Sequence, residues 1–158
     1  MNRRSAGIAM VELALVLPLL LGIFFGIVEL GRALYQQNML AKGVANTARM
    51  LARTYQGMDM DNACVVNAAV WPAAVLAAEN YLRFGSTDAD EDAQPRLAGI
   101  QLQAVEISAY RNDDSAVADY ICSIRVTGQA QFVPVVSDVF GIGAFNLQAS
   151  AEERYIGE

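Results

Sequence analysis

The feature that most constrains this chain is an uncharged apolar run near its N-terminus. No charged residue occurs from Leu13 to Val28, and extending the run back to Ile8 adds only the charge of Glu12. An α-helix rises about 1.5 Å per residue and needs about twenty apolar residues to cross a bilayer core about 30 Å thick. The run is therefore long enough for one transmembrane helix, and the rest of the chain is attached to it.

Glu12 is the unusual residue of this run. A charged side chain at bilayer depth costs about 2.5–3.5 kcal/mol on insertion scales, so it normally has a partner. One interpretation places the carboxylate among the lipid headgroups, where it stays hydrated; the other gives it a partner inside the membrane. Pro18 removes one backbone hydrogen bond and predicts a bend or local unwinding of the helix. A cleaved secretory signal is the less favoured alternative, because no small-x-small cleavage site follows Val28.

The residues around Glu12 form a pattern. Two arginines at positions 3 and 4 are followed by Gly7, the hydrophobic Ile8 and then Glu12, five residues after the glycine and inside an apolar helix. This order resembles the processing site of type IV pilins. Residues 4–53 resemble the TadE-like pseudopilins of the Tad (tight adherence) pilus system.

The resemblance implies a processing and assembly role for these residues. A prepilin peptidase would cleave after Gly7, remove the leader 1–7 and leave Ile8 as the new N-terminus. Glu12 would then pair with the α-ammonium of an adjacent subunit, which sets the register between neighbouring helices. One position departs from the pattern, since pilin-like segments often have an aromatic residue where this chain has Leu13.

The helix is predicted to continue beyond the membrane. Small and apolar residues recur every three or four positions through residues 30–55, as on one face of a helix. The sequence therefore predicts a helix over residues 8–56, about 70 Å long at 1.5 Å per residue. Its outer half would pack against the globular domain or contact neighbouring subunits. The stripe consists of Leu34, Ala41, Val44, Ala48 and Leu51, with Tyr55 at its end.

Residues 57–158 are predicted to form an exported α+β domain. A second helical stretch runs through Val66 and Tyr81 to Gly85, and Pro72 divides it. Period-two alternation then indicates three strands, near 100–110, 120–127 and 145–154, with a bulge in the first where the apolar residues change face. The expected fold is α+β: a long transmembrane helix, a further helical stretch and a three-stranded antiparallel sheet.

Charge and composition exclude several functions. Residues 1–55 contain six Arg or Lys against two Glu, whereas residues 56–158 contain five Arg against fifteen Asp or Glu, which argues against a nucleic-acid partner. The chain has no histidine, which removes histidine-based catalysis and most zinc sites. No catalytic residues, cofactor, metal site or small-molecule substrate is predicted. Asp88, Asp90 and Asp92 resemble the start of a calcium loop, but Ala93 and Gly99 replace the required glycine and glutamate, so a solvated loop is favoured.

Cys64 and Cys122 are the only cysteines, and both follow the transmembrane run. Each alone would suit a small buried apolar site. In an exported domain, two cysteines and no others favour a disulfide.

The resemblance implies a minor, TadE-like pseudopilin that takes part in assembling a Tad/Flp pilus at the bacterial inner membrane. The basic residues before the helix favour a cytoplasmic N-terminus and a periplasmic domain. The predicted partners are the membrane, the prepilin peptidase and other pilins or pseudopilins. The alternative is a membrane-anchored periplasmic interaction module without a pilus role.

Overall fold

The fold was obtained as a computed structural model, which describes residues 3–59, 64–88, 94–95, 97, 100–112, 121–135, 141 and 143–156. The acidic loop beyond Asp88, residues 113–120 and part of the connection after Val135 lie outside these residues. The elements are helix α1 (Arg3–Thr54), strands β1 (Met58–Asp59) and β2 (Val65–Val66), helix α2 (Trp71–Phe84), and strands β3 (Gln101–Asn112), β4 (Ile121–Phe132) and β5 (Phe145–Arg154). The predicted α+β class is confirmed.

Helix α1 is continuous through Pro18. Local unwinding at that residue was expected and is not observed. A proline inside a helix removes one N–H donor, while the hydrogen bonds on either side of it remain available to keep the turns together.

The chain divides into two compact units. One comprises residues 1–35 together with 133–144, and the other comprises residues 36–132 together with 145–158. Helix α1 contributes residues to both. The second unit contains the sheet, helix α2 and the last part of α1, so the compact domain begins inside α1, at Gln36.

The sheet is an antiparallel meander in the order β3-β4-β5. In β4, burial alternates as the period-two pattern requires: Ile124 and Val126 are fully buried, whereas Arg125 is exposed. The predicted bulge in β3 is confirmed as a register shift between Leu102 and Ala104. The shift turns Val105 and the following apolar residues toward the same face as the buried side of β4.

The second predicted helical stretch is shorter than expected. Val66 belongs to β2, which pairs with β1, and α2 begins only at Trp71, with Pro72 in its first turn. Asn67 explains the late start, because its side-chain Oδ1 accepts the Ala69 N–H at 2.9 Å and its carbonyl accepts the Trp71 N–H, also at 2.9 Å. Such local asparagine turns compete with a helix. The helix ends as predicted at Gly85, which has a left-handed φ of 82°.

The core lies between α1, α2 and the inner face of the sheet. Its centre is formed by apolar side chains that are at most 2 % exposed. They are Leu40, Val44, Leu82, Ile124, Val126 and Phe132.

Candidate functional site

The predicted processing site lies in the first turns of α1. Ile8 is 71 % exposed and Glu12 is exposed. Their four-residue spacing places them on one face of the helix, one turn apart. A Cβ built on Gly7 would have no atom within 4 Å. Packing against the described residues therefore does not require a glycine at this position.

The two acidic residues of the apolar part of α1 have different surroundings. Both oxygens of Glu29 bind Nη1 of Arg32, at 2.9 and 2.8 Å, and Oε1 also accepts the backbone N–H of Val135 at 3.1 Å. By contrast, no residue that the structure describes forms a hydrogen bond or ion pair with Glu12. Among the described residues, therefore, a cationic partner is present for Glu29 but not for Glu12.

The surface around these residues suits lipid. From Gly7 to Thr54 the helix is long and apolar enough to cross a membrane, and none of its most apolar window is buried inside the chain. A helix of a soluble core would hide such a window. A single-pass membrane anchor is consistent with this arrangement.

The predicted stripe on the outer half of α1 is only partly buried. Val44, Ala48 and Leu51 are at most 2 % exposed and face the core. Leu34 is 55 % exposed and Ala41 is also exposed, so neither contributes to that face.

Sequence reasoning missed three buried residues of the same helix: Leu40, Thr47 and Ala52 are all at most 1 % exposed. The signal that could have identified them is the spacing of Leu40, Val44 and Thr47, with steps of four and three residues. This spacing fits the helical period as well as the predicted stripe through Ala41 does. Side-chain size favours Leu40 for the core.

The predicted disulfide is present. Cys64 and Cys122 are bonded, with their Cα atoms 5.4 Å apart, and both residues are buried. Cys64 precedes β2 and has a left-handed φ of 62°, whereas Cys122 lies on the inner face of β4. The bond therefore ties the short β1–β2 hairpin to the central strand of the sheet.

A charged cluster occupies the outer face of the sheet. Arg125 on β4 donates to the Tyr110 hydroxyl at 3.0 Å and to Oε2 of Glu152 at 3.3 Å, and its guanidinium lies 4.6 Å from the Tyr110 ring centre. The Tyr110 hydroxyl and, after it, the guanidinium lower the pKa of Glu152, while burial and then Glu152 raise the pKa of Tyr110. The Arg125–Glu152 ion pair joins two strands on an exposed face, where such a pair contributes little to stability.

The described residues contain no group of histidine, cysteine or acidic side chains arranged to hold a metal ion. Of the three aspartates of the candidate calcium loop, Asp90 and Asp92 lie outside the described residues. The favoured prediction of a solvated loop stays a prediction.

Comparison with known proteins identifies the N-terminal part of the chain. The model of a family described as TadE-like protein matches residues 7–49, a segment that starts at Gly7 and contains Ile8 and Glu12. No curated protein and no solved structure matches the chain. Over residues 7–49 the chain thus matches the TadE-like family, which confirms the resemblance seen in its N-terminal residues.

Proposed function

We propose that this protein is a minor pseudopilin of a Tad/Flp pilus, anchored in the bacterial inner membrane by α1. The match of residues 7–49 to the TadE-like family supports a pilus-related role. In this proposal the N-terminus is cytoplasmic and the domain after α1 is periplasmic. A prepilin peptidase removes residues 1–7 and exposes the α-ammonium of Ile8.

The observation that carries the proposal is the contrast between Glu12 and Glu29. Glu29 is neutralised within the chain by Arg32, whereas Glu12 has no partner among the residues that the structure describes. An unpaired carboxylate in lipid makes insertion less favourable. The Glu12 carboxylate is favourable in lipid only where another subunit supplies a positive charge beside it. We infer that the ammonium of a neighbouring pilin or pseudopilin is that charge.

The test is complementation of a deletion strain, scored by surface pili or adherence, with protein abundance measured by blot. Glu12→Gln keeps the size of the side chain and removes its charge, so we expect normal insertion and abundance but loss of pili. Glu12→Asp keeps the charge one methylene group shorter and should retain more function than Glu12→Gln.

A simple membrane-anchored interaction module predicts the reverse outcome, because removing a charge from an apolar helix makes insertion easier. Full complementation by Glu12→Gln at normal abundance would therefore reject the assembly role. It would favour the anchored module instead.

A further inference from the structure

The connection between β4 and β5 is unusually apolar. Residues 133–144 read VPVVSDVFGIGA and contain one charged residue, Asp138. Of the described side chains at its start, Val133 is 54 % exposed and Val135 is 75 % exposed. Exposed apolar residues that are grouped on one surface mark a site of contact with protein, ligand or membrane.

This segment forms one compact unit with residues 1–35, which include the apolar run of α1. The contact that fixes its level along α1 is the hydrogen bond from the Val135 N–H to Oε1 of Glu29, 3.1 Å long. Glu29 is the first charged residue after the uncharged run from Leu13 to Val28. Val135 therefore lies level with the end of the run, where the hydrocarbon core of a bilayer meets the headgroups.

The surface of α1 just beyond Glu29 is also apolar. Leu30, Leu34 and Tyr35 are 61 %, 55 % and 64 % exposed, although the helix has already passed Glu29. Tyrosine is enriched at this level of membrane proteins because its ring prefers the acyl boundary and its hydroxyl prefers water.

We propose that residues 133–135 form a second membrane-contacting element, which inserts Val133 and Val135 into the headgroup–acyl boundary of the bilayer that α1 crosses. Lipid is the occupant because the exposed valines continue the lipid-facing surface of α1 at the same level, and amphipathic surfaces at this depth bury apolar side chains among the acyl chains. The proposal requires α1 to span the membrane. It does not require a role in pilus assembly.

The experiment places a fluorescent probe at each valine in the full-length protein, reconstituted in phosphatidylethanolamine–phosphatidylglycerol vesicles. Trp71 is the only tryptophan, so Trp71→Phe provides a silent background. Val133→Trp and Val135→Trp are then compared with Val65→Trp, an exposed valine of β2 that is 53 % accessible. Leu20→Trp, inside the uncharged run, reports on insertion of α1 itself.

We expect blue-shifted emission at positions 133 and 135 and loss of most of that emission in vesicles of brominated lipids. Val65→Trp should emit as in water and be quenched by iodide instead. Both probe positions must retain the disulfide, measured as the absence of free thiols, so that a misfolded variant is recognised.

Two results would overturn the proposal. The first is that brominated lipids quench Leu20→Trp but not the probes at 133 and 135. Unshifted emission at 133 and 135 would then show that these residues lie in water, and blue-shifted emission would show that they lie against protein, such as a second copy of this chain. Failure of Leu20→Trp to respond to brominated lipids would remove the membrane anchor and the proposal with it. Neither readout depends on pili, so the pilus role is tested separately.

Discussion

At the scale of single residues, Gly128 determines how closely α1 packs on the sheet. A Cβ at this position of β4 would lie 2.9 Å from Cγ2 of Val44 and 3.3 Å from Cδ1 of Leu40, both on α1. Contacts below 3.0 Å do not occur between well-packed carbons, and Val44 and Leu40 are fully buried, so they have no room to move aside. The absence of a side chain at Gly128 is therefore a packing requirement.

Gly128→Val should lower the free energy of unfolding by about 1–3 kcal/mol or more, the usual cost of overpacking a core. Trp71, whose ring lies 5.1 Å from that of Tyr55 at the end of α1, reports unfolding by its fluorescence in denaturant. Gly143→Val is the matched control, since a Cβ there meets nothing within 4 Å. Equal unfolding midpoints for the two variants would contradict the packing argument.

Gly7 represents the opposite case, a glycine that the fold does not require. Because a Cβ there contacts nothing, Gly7→Trp should insert and fold normally yet remain uncleaved, since a peptidase that accepts glycine next to the cut bond excludes a bulky side chain. Intact-mass analysis of membrane-extracted protein distinguishes the full-length from the shortened chain. Gly26→Trp, equally free of contacts, should still be processed, and cleavage of Gly7→Trp at the normal rate would reject the leader assignment.

At the scale of elements, the strands could be predicted because a half-buried strand alternates apolar and polar residues. This alternation is visible within a few consecutive residues. The bulge near Ala104 was visible in the sequence for the same reason. The start of α2 was not, because it depends on Asn67, whose N–H also donates to the Gly57 carbonyl at 2.8 Å and so joins two segments. The choice of Leu40 over Ala41 for the buried face of α1 was likewise ambiguous, since it is decided by tertiary contact with the sheet.

The disulfide could be proposed from the sequence. Because it joins distant parts of the chain, its removal should measurably lower the stability of the domain. It closes a loop of 58 residues in sequence separation, for which the chain-entropy model gives up to about 4 kcal/mol. Cys64→Ser and Cys122→Ser should each reduce the denaturant midpoint of the full-length protein in detergent.

The double variant serves as the control for that experiment. It should match either single variant within about 0.5 kcal/mol, because both changes remove the same bond. Free thiols detected in unreduced, denatured wild-type protein would show that the bond does not form.

At the scale of the whole molecule, α1 contributes residues to two compact units. The part of α1 up to Tyr35 carries the exposed apolar surface, whereas the second unit begins at Gln36. The end of α1 is also tied to the C-terminal segment: the Ala52 carbonyl accepts the Ile156 N–H at 3.3 Å, and the Tyr55 carbonyl accepts the Tyr155 hydroxyl at 2.9 Å. The sequence predicts an exported domain of residues 57–158, starting where the helical pattern stops, and the pattern does not show which part of a helix a core uses.

The last prediction follows from that division. A fragment of residues 36–158 should unfold cooperatively, as followed by Trp71 fluorescence and near-ultraviolet circular dichroism, whereas residues 57–158 should not. The shorter fragment lacks Leu40, Val44 and Leu51, which are at most 2 % exposed in the core. Truncating one buried leucine to alanine costs about 2–5 kcal/mol, and a domain has only about 5–15 kcal/mol in total. Losing all three, together with the hydrogen bonds to Tyr155 and Ile156, removes an amount of stability comparable to that whole margin. A cooperative transition of residues 57–158 at the same midpoint as residues 36–158 would show that the domain folds without α1.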